Sequence, residues 1–455
     1  MKLSTFATAA LIGATSVEAA LSITWTDENS VKQAMQTVAK GMTQYYTGNR
    51  PGDVPGNLPD PYYWWEAGAM FGALIDYWYY TGDDQFNAIT TQAMLHQIGP
   101  QEDYMPPNQS RTLGNDDQAF WGMSAMSAAE NKYPDPPDGQ PGWLALAQAV
   151  FNTQAPRWDN ETCGGGLKWQ IFTFNNGYNY KNTISQGCFF NIAARLARYT
   201  NNETYSDWAE IAWDWTVAIG LMDSNFHFYD GTDDRINCTQ INHIQWTYNA
   251  GVFLYGAATM WNISAEAGKE TETSGKWHDR LQGIISGLDV FTKNGNVLEE
   301  VACEANGKCN IDQRSFKAYI SRWMAATTKV APWTTAQLDP VLAASREAAV
   351  KTCTGGSDGS QCGLRWTTGS FDGSTGVGEQ MAALEVMGTA LIANVAGPLT
   401  NKTGGTSQGN PSAGSNSQTT PTSADPISTG DKAGAGFLTA VILIGILGGA
   451  WWMVV

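Results

Sequence analysis

Two adjacent aspartates carry the strongest chemical signal in the chain. They sit in Gly-Asn-Asp-Asp-Gln-Ala-Phe-Trp, residues 114–121, as Asp116 and Asp117. Asn115 is a good N-cap residue and Gln118 follows three positions later, the pattern of a capping box. The spacing predicts a helix whose first two residues are Asp116 and Asp117. Adjacent residues there hold their carboxyl groups on the order of 5 Å apart, the separation used for double displacement at an acetal carbon. The helix N-terminus favours the ionised form, while the like charge alongside raises the pKa of one member. One anionic nucleophile and one protonated acid is the division that this reaction requires.

Other stations are weaker. The chain has four histidines, His96, His227, His243 and His278, and no His/Cys/Asp/Glu cluster with zinc spacing. Phosphate-cradle and nucleophile-elbow motifs do not occur. Gly164-Gly165-Gly166 reads as a flexible loop without the Lys-Ser/Thr of a phosphate site. The run 230–234, Asp-Gly-Thr-Asp-Asp, fails the EF-hand pattern and reads as an Asx-rich turn. Neither a metal nor a cofactor is expected. A second aspartate pair, Asp83-Asp84, begins an outer helix and should point away from any hub.

An acid pair at a helix start needs a scaffold, and the chain between residues 22 and 398 reads as helices of two alternating kinds. The first is amphipathic: in 204–221, Tyr205, Trp208, Ala212, Trp215 and Ile219 form one stripe, while Asp207, Glu210 and Asp214 face away. Segments 27–46, 84–99, 142–156, 271–290 and 336–350 are similar. The second kind is apolar or small nearly all round, hence buried on all sides: 64–80, 116–130, 183–200, 245–261, 312–327 and 378–393. Six outer helices alternating with six inner ones predict an all-α fold, an (α/α)6 toroid of six helical hairpins. The longest loops, such as 50–61, 100–114 and 157–182, all precede inner helices. They share one rim, so the active face is expected there.

The ends and the composition frame a setting. Residues 1–19 read as a secretory signal peptide cut near Ala19 or Ala20. Residues 399–436 form a Ser/Thr/Gly-rich stalk. The apolar tail 437–455 is not followed by basic residues, as a stop-transfer helix requires, and reads as a GPI-attachment signal with its acceptor among Ser412–Ser428. The expected location is therefore secreted and GPI-anchored, at the outer face of the plasma membrane or in the cell wall. Only 15% of residues are charged and the net charge is −17, which excludes a nucleic-acid binder. Cys303 with Cys309 and Cys353 with Cys362 are close enough for local disulfides. Of the remaining three, Cys163 and Cys238 lie in loops and are expected to pair, leaving Cys188 as a buried thiol in an apolar helix. Asn108, Asn160, Asn202, Asn237, Asn262 and Asn401 begin N-glycosylation sequons, and such glycans would hydrate a surface poor in charge.

The aspartate-pair segment resembles that of glycoside hydrolase family 76. So do Tyr-Trp-Trp-Glu-Ala-Gly at 63–68, Gly-Gly-Leu-Lys-Trp at 165–169, Tyr-Lys-Asn-Thr-Ile-Ser-Gln-Gly at 180–187 and Trp-Thr-Tyr-Asn-Ala-Gly at 246–251. The resemblance spans residues 25–395 and implies an (α/α)6 fold and a retaining mechanism on α-1,6-linked mannose. Asp116 would be the nucleophile and Asp117 the general acid/base. It also implies a wall transglycosidase whose donor is α-1,6-mannan or the GPI-core glycan and whose acceptor is wall β-glucan. Sugar faces stack on aromatic rings and their hydroxyls need fixed polar partners. Trp64, Trp65, Trp121, Trp169, Trp246 and Tyr248 are the expected platforms, with Gln186, Asn249 and Arg314 as hydrogen-bonding residues. The alternative is a surface lectin or wall-assembly scaffold that binds mannan without turnover.

Overall fold

The computed structural model describes residues 21–292, 294–415, 437, 439 and 441–444. The expected signal peptide and most of the stalk and apolar tail lie outside them. Among the described residues no helix is long and apolar enough to cross a membrane.

Twelve helices alternate as expected. The inner ones are α2 (Trp64–Thr81), α4 (Asn115–Glu130), α6 (Thr183–Thr200), α8 (Thr247–Glu266), α10 (Phe316–Val330) and α12 (Val377–Gly388). The outer ones are α1 (Glu28–Thr43), α3 (Asn87–His96), α5 (Trp143–Gln154), α7 (Glu203–Ala218), α9 (Lys276–Gly287) and α11 (Thr335–Lys351). Each inner helix packs on the next, and α12 closes the ring against α2. The fold is the (α/α)6 toroid.

Small residues allow that closure. A Cβ on Gly68 would lie 2.7 Å from the Trp121 indole, and one on Gly251 would lie 2.9 Å from the Ile320 backbone. Both distances are shorter than real side chains tolerate, so α2 meets α4, and α8 meets α10, only through glycine. Along α4 every residue except Asp117 is buried, which explains its lack of a polar face.

The structure adds a short antiparallel sheet in the order β1 (Tyr180–Asn182), β2 (Gly231–Asp233), β3 (Ile241–Asn242). The run 230–234 is thus a strand leading into a 3-10 turn rather than an Asx-rich turn alone. Asp234 pairs with Lys168 and Asp233 with Arg235. Two of the three glycines are packed: Gly165 and Gly166 lie against Trp158 and Trp215 while Gly164 faces open space, and the Gly165 carbonyl accepts from the buried Lys181 ammonium. Disulfides join Cys163 to Cys238, Cys303 to Cys309 and Cys353 to Cys362, with Cys188 a buried thiol, as expected from the sequence.

The body continues beyond residue 398. Leu399 N–H donates to the Glu130 carbonyl and Asn401 N–H to the Tyr199 carbonyl. Residues 407–413 then run along α5. The first part of the expected stalk is therefore docked, because its backbone and Asn and Ser side chains find partners on α5 that composition does not reveal.

Candidate active site

The N-termini of the inner helices converge on one cavity of about 600 Å³. Asp116, Asp117 and Phe120 enter from α4, Trp65 from α2, Asn182 from the start of α6, and Tyr248 from α8. Asp312 and Phe316 enter from α10 and the turn before it, and Asp230 from the position just before β2. Loops that precede inner helices supply Tyr63, Arg111, Trp169, Gln170 and Tyr180.

The helix carrying the pair starts one residue earlier than the sequence suggests. Gly114, not Asn115, is the N-cap, and Asp117 is at the third helical position. Its Oδ2 accepts the Gly114 N–H at 2.7 Å. Asn115 cannot cap because its side chain is used elsewhere. Its amide donates to the Lys168 carbonyl at 2.8 Å, and its oxygen accepts from Arg157 at 3.0 Å. Gln118, the expected capping-box partner, is buried and bonds the Asp103 carbonyl and Thr153.

Gly114 also leaves room for the pair. A Cβ there would stand within 2.5 Å of both Asp116 Oδ1 and Asp117 Oδ2. Two oxygens within 2.5 Å of one point are at most 5 Å apart, so the two carboxyls stand close together.

The two carboxyls are treated differently. Asp116 Oδ1 accepts the Asp117 N–H at 3.0 Å and Oδ2 accepts the Asn182 amide at 3.0 Å. Burial raises the Asp116 pKa and these donors lower it, leaving it at about 6. Asp117 is pushed well above the usual carboxylate range, first by burial and then by the Asp116 charge. Of the two, Asp117 holds its proton more tightly. An anion supported by two donors beside a neutral acid can act as nucleophile and general acid.

Asn182 links two helices. Its Oδ1 caps α6 by accepting the Ser185 N–H at 3.3 Å, while its amide holds Asp116 of α4. The β1–β2 pairing fixes its position.

The expected sugar-binding residues divide. Trp65, Trp169 and Tyr248 line the cavity. The Trp65 indole donates to Asp312 at 3.1 Å, and Tyr248 stacks on Phe316 at 3.8 Å. Trp246 lies behind the wall, where its indole donates to Asp230 at 2.9 Å. Trp64 and Trp121 do not line the cavity. They stack on each other at 5.1 Å, and the Trp64 indole donates to Gln97 beside α3. Gln186 is buried and clamps both backbone groups of Leu167. Asn249 is buried beneath the cavity lining, and Arg314 turns away to Glu379 at 3.2 Å.

Sequence reasoning missed Asn182, Asp230 and Asp312. Asp230 accepts from Tyr180, Trp246 and Asn242. Burial raises its pKa, and raises that of Asp312 to about 6. The available signal was positional: each lies immediately before an inner helix or within a loop of the expected rim.

Known proteins share this architecture. The family model described as Glycosyl hydrolase family 76 matches residues 30–402. The mannan endo-1,6-alpha-mannosidase DCW1 of Saccharomyces cerevisiae is 47% identical over 427 residues, covering 93% of each chain. Its namesake from Candida albicans is 45% identical over 440 residues, covering 94% of this chain and 96% of that one. The crystal structure of Dfg5 from Chaetomium thermophilum in complex with glucosamine superposes with a TM-score of 0.82 at 47% identity, covering 87% of this chain and 98% of that one. An inactive variant of an α-1,6-mannanase from Salegentibacter sp. HEL1_6, in complex with α-1,6-mannotriose, shares the fold. Its TM-score is 0.62 at 18% identity, covering 80% of this chain and 99% of that one. With the family model covering most of the chain and an acid pair at the mouth of its toroid, this chain is a glycoside hydrolase and belongs to glycosyl hydrolase family 76.

Proposed function

We propose that the chain is a retaining glycosidase for α-1,6-linked mannose, and that it works as a transglycosidase at the cell surface. The observation that carries the first part is the division of labour in the acid pair. Asp116 is held as an anion by two donors and Asp117 is kept neutral by burial and by its neighbour. Asp116 attacks the anomeric carbon while the Asp117 proton passes to the departing oxygen, so one C–O bond forms as another breaks. Asp117, now a carboxylate, takes a proton from the acceptor hydroxyl, which displaces Asp116 and restores both groups. With water as acceptor the outcome is hydrolysis; with a sugar hydroxyl it is transfer. The names of the yeast relatives support α-1,6-mannan as substrate.

The donor in this reading is the mannose core of a GPI glycan or wall mannan, and the acceptor is wall β-glucan. The secretory start and GPI-type tail of the sequence favour this, since a chain tethered by such an anchor sits among donors of the same kind. The relative crystallised with glucosamine, an amino sugar, is consistent with a GPI-core donor. The test is product analysis with an α-1,6-mannose oligosaccharide or a GPI-core glycan, with and without a β-glucan oligosaccharide. A mannosyl–glucan product supports transfer, free reducing ends alone support hydrolysis, and binding without any product supports the lectin reading.

A further inference from the structure

The acids lie at the end of the toroid where inner helices begin and outer helices finish. At the C-terminus of α5, Gln154 and Thr153 bond Asn115 and Gln118 at the start of α4. The strap after residue 398 begins at the other end, where Leu399 meets Glu130 and Asn401 meets Tyr199, the final turns of α4 and α6. It then climbs α5 in register. Ser407 Oγ accepts the Leu144 N–H, and the Gln408 carbonyl accepts the Ala145 N–H. Gln148 Oε1 accepts the Asn410 N–H at 2.7 Å. The Asn152 amide donates to the Pro411 and Ala413 carbonyls at 2.9 and 2.7 Å. From Ala145 to Asn152 is a rise of about 10 Å along the helix, toward the acids. The chain is thereby handed off on the cavity side of the body.

The two ends also differ in surface. Eight large apolar side chains are exposed on the described body, and six of them (Val54, Tyr63, Phe174, Ile236, Ile244 and Val301) sit on loops of the cavity rim. The other two, Ile211 and Val217, are on α7, so the opposite end contributes none of them.

We propose that the strap turns the catalytic mouth toward the lipid surface to which the chain is tethered, so that the cavity meets glycans rooted in that leaflet. This rests on the GPI reading above. Residues 415 to 428 span at most about 45 Å whatever their conformation. Departure from the opposite end would interpose at least the length of α4, about 24 Å, between tether and mouth. Asn108, Asn160 and Asn237 are sequon residues on the mouth side, so the mouth faces the leaflet without inserting its rim.

The test uses the full chain processed by cells and displayed on plasma-membrane vesicles, with an acceptor dye in the outer leaflet. A donor dye is placed through Phe174→Cys at the mouth or Lys269→Cys at the opposite end. Energy transfer from position 174 should exceed that from 269 at least twofold. Replacing residues 400–413 by a Gly/Ser chain of equal length should bring the two values together. Equal transfer in the wild-type strap, or greater transfer from 269, overturns the orientation while leaving the anchor reading intact. A chain that phosphatidylinositol-specific phospholipase C does not release overturns the anchor reading and the orientation with it.

Discussion

The two ends of the helical hub bury carboxylates in opposite ways. At the closed end, Glu130 pairs with Arg195 at 2.6 Å, and Arg322 bridges Asp76 at 2.7 Å and Glu385 at 2.5 Å. The small cavity there, about 40 Å³, is covered by Ile392 and Pro398. At the mouth, Asp116, Asp117, Asp230 and Asp312 share a cavity of about 600 Å³ and make no ion pair among the described residues. At the closed end guanidinium groups occupy the carboxylates, whereas at the mouth the carboxyls accept from amide, indole and phenol donors and stay open to a ligand. The same toroid thus holds a structural end and a reactive one, distinguished by which groups pair with its buried carboxyls.

The largest effect should come from breaking the reactive end. Asp116→Asn or Asp117→Asn is expected to lower kcat by about 10³-fold or more on an α-1,6-mannose substrate, with an unchanged circular dichroism spectrum. Gly114→Ala inserts a methyl group between the carboxyls and should cost roughly 10²-fold with the fold retained, comparable to misplacing reacting groups by about 1 Å. Breaking the structural end should do the reverse. Arg195→Met leaves Glu130 buried and unpaired and should destabilise by about 3–5 kcal/mol in denaturant unfolding, with Arg195→Met/Glu130→Leu recovering most of the loss. Protein that remains folded should keep its kcat.

Smaller effects sharpen the contrast. kcat/KM should rise as pH increases through about 6, where Asp116 loses its proton, and fall only at higher pH as Asp117 loses its own. Asn182→Ala removes a donor to the Asp116 anion, so the acidic limb should move up by about 0.5–1 pH unit. The least effect is on stability. The Asp312 pKa is raised on folding to about 6, so the fold binds this proton more tightly than the unfolded chain. Its contribution is then present below about pH 4 and lost as pH rises toward 6. Asp312→Asn cannot lose a proton and should be more stable than wild type at pH 7 and equal to it at pH 3.5.

Much of this contrast was legible in the sequence. The alternation of striped and all-apolar helices is local information, since helical periodicity is written in consecutive residues, and the twelve helices keep that order, except that α5, expected to show a polar face, is buried at every position but Asn152 because residues 407–413 cover it. The adjacent aspartates of 114–121 marked the site for the same reason. Trp64 and Trp65 show where such reading stops. Neighbours on a helix point about 100° apart, so Trp65 reaches Asp312 in the cavity while Trp64 turns to Gln97 near α3. Which of the two faced the sugar depended on the rotation of α2 about its axis, which is set by packing against α4 and α12.

By itself, the sequence determined the twelve helices, their inner and outer placement, the acid pair and the end of the toroid that holds it. These are consequences of hydrophobic period, side-chain size and residue type at short range. Tertiary structure alone decided that Asn182, from the start of α6, would steady Asp116, and that Asp230 and Asp312 would join the pair. It also diverted Asn115 from capping to hold loop 157–169, and docked residues 399–415 along α5. Each of these is a contact between segments from about 40 to more than 250 positions apart, and no local pattern encodes which distant donors will meet once the ring closes.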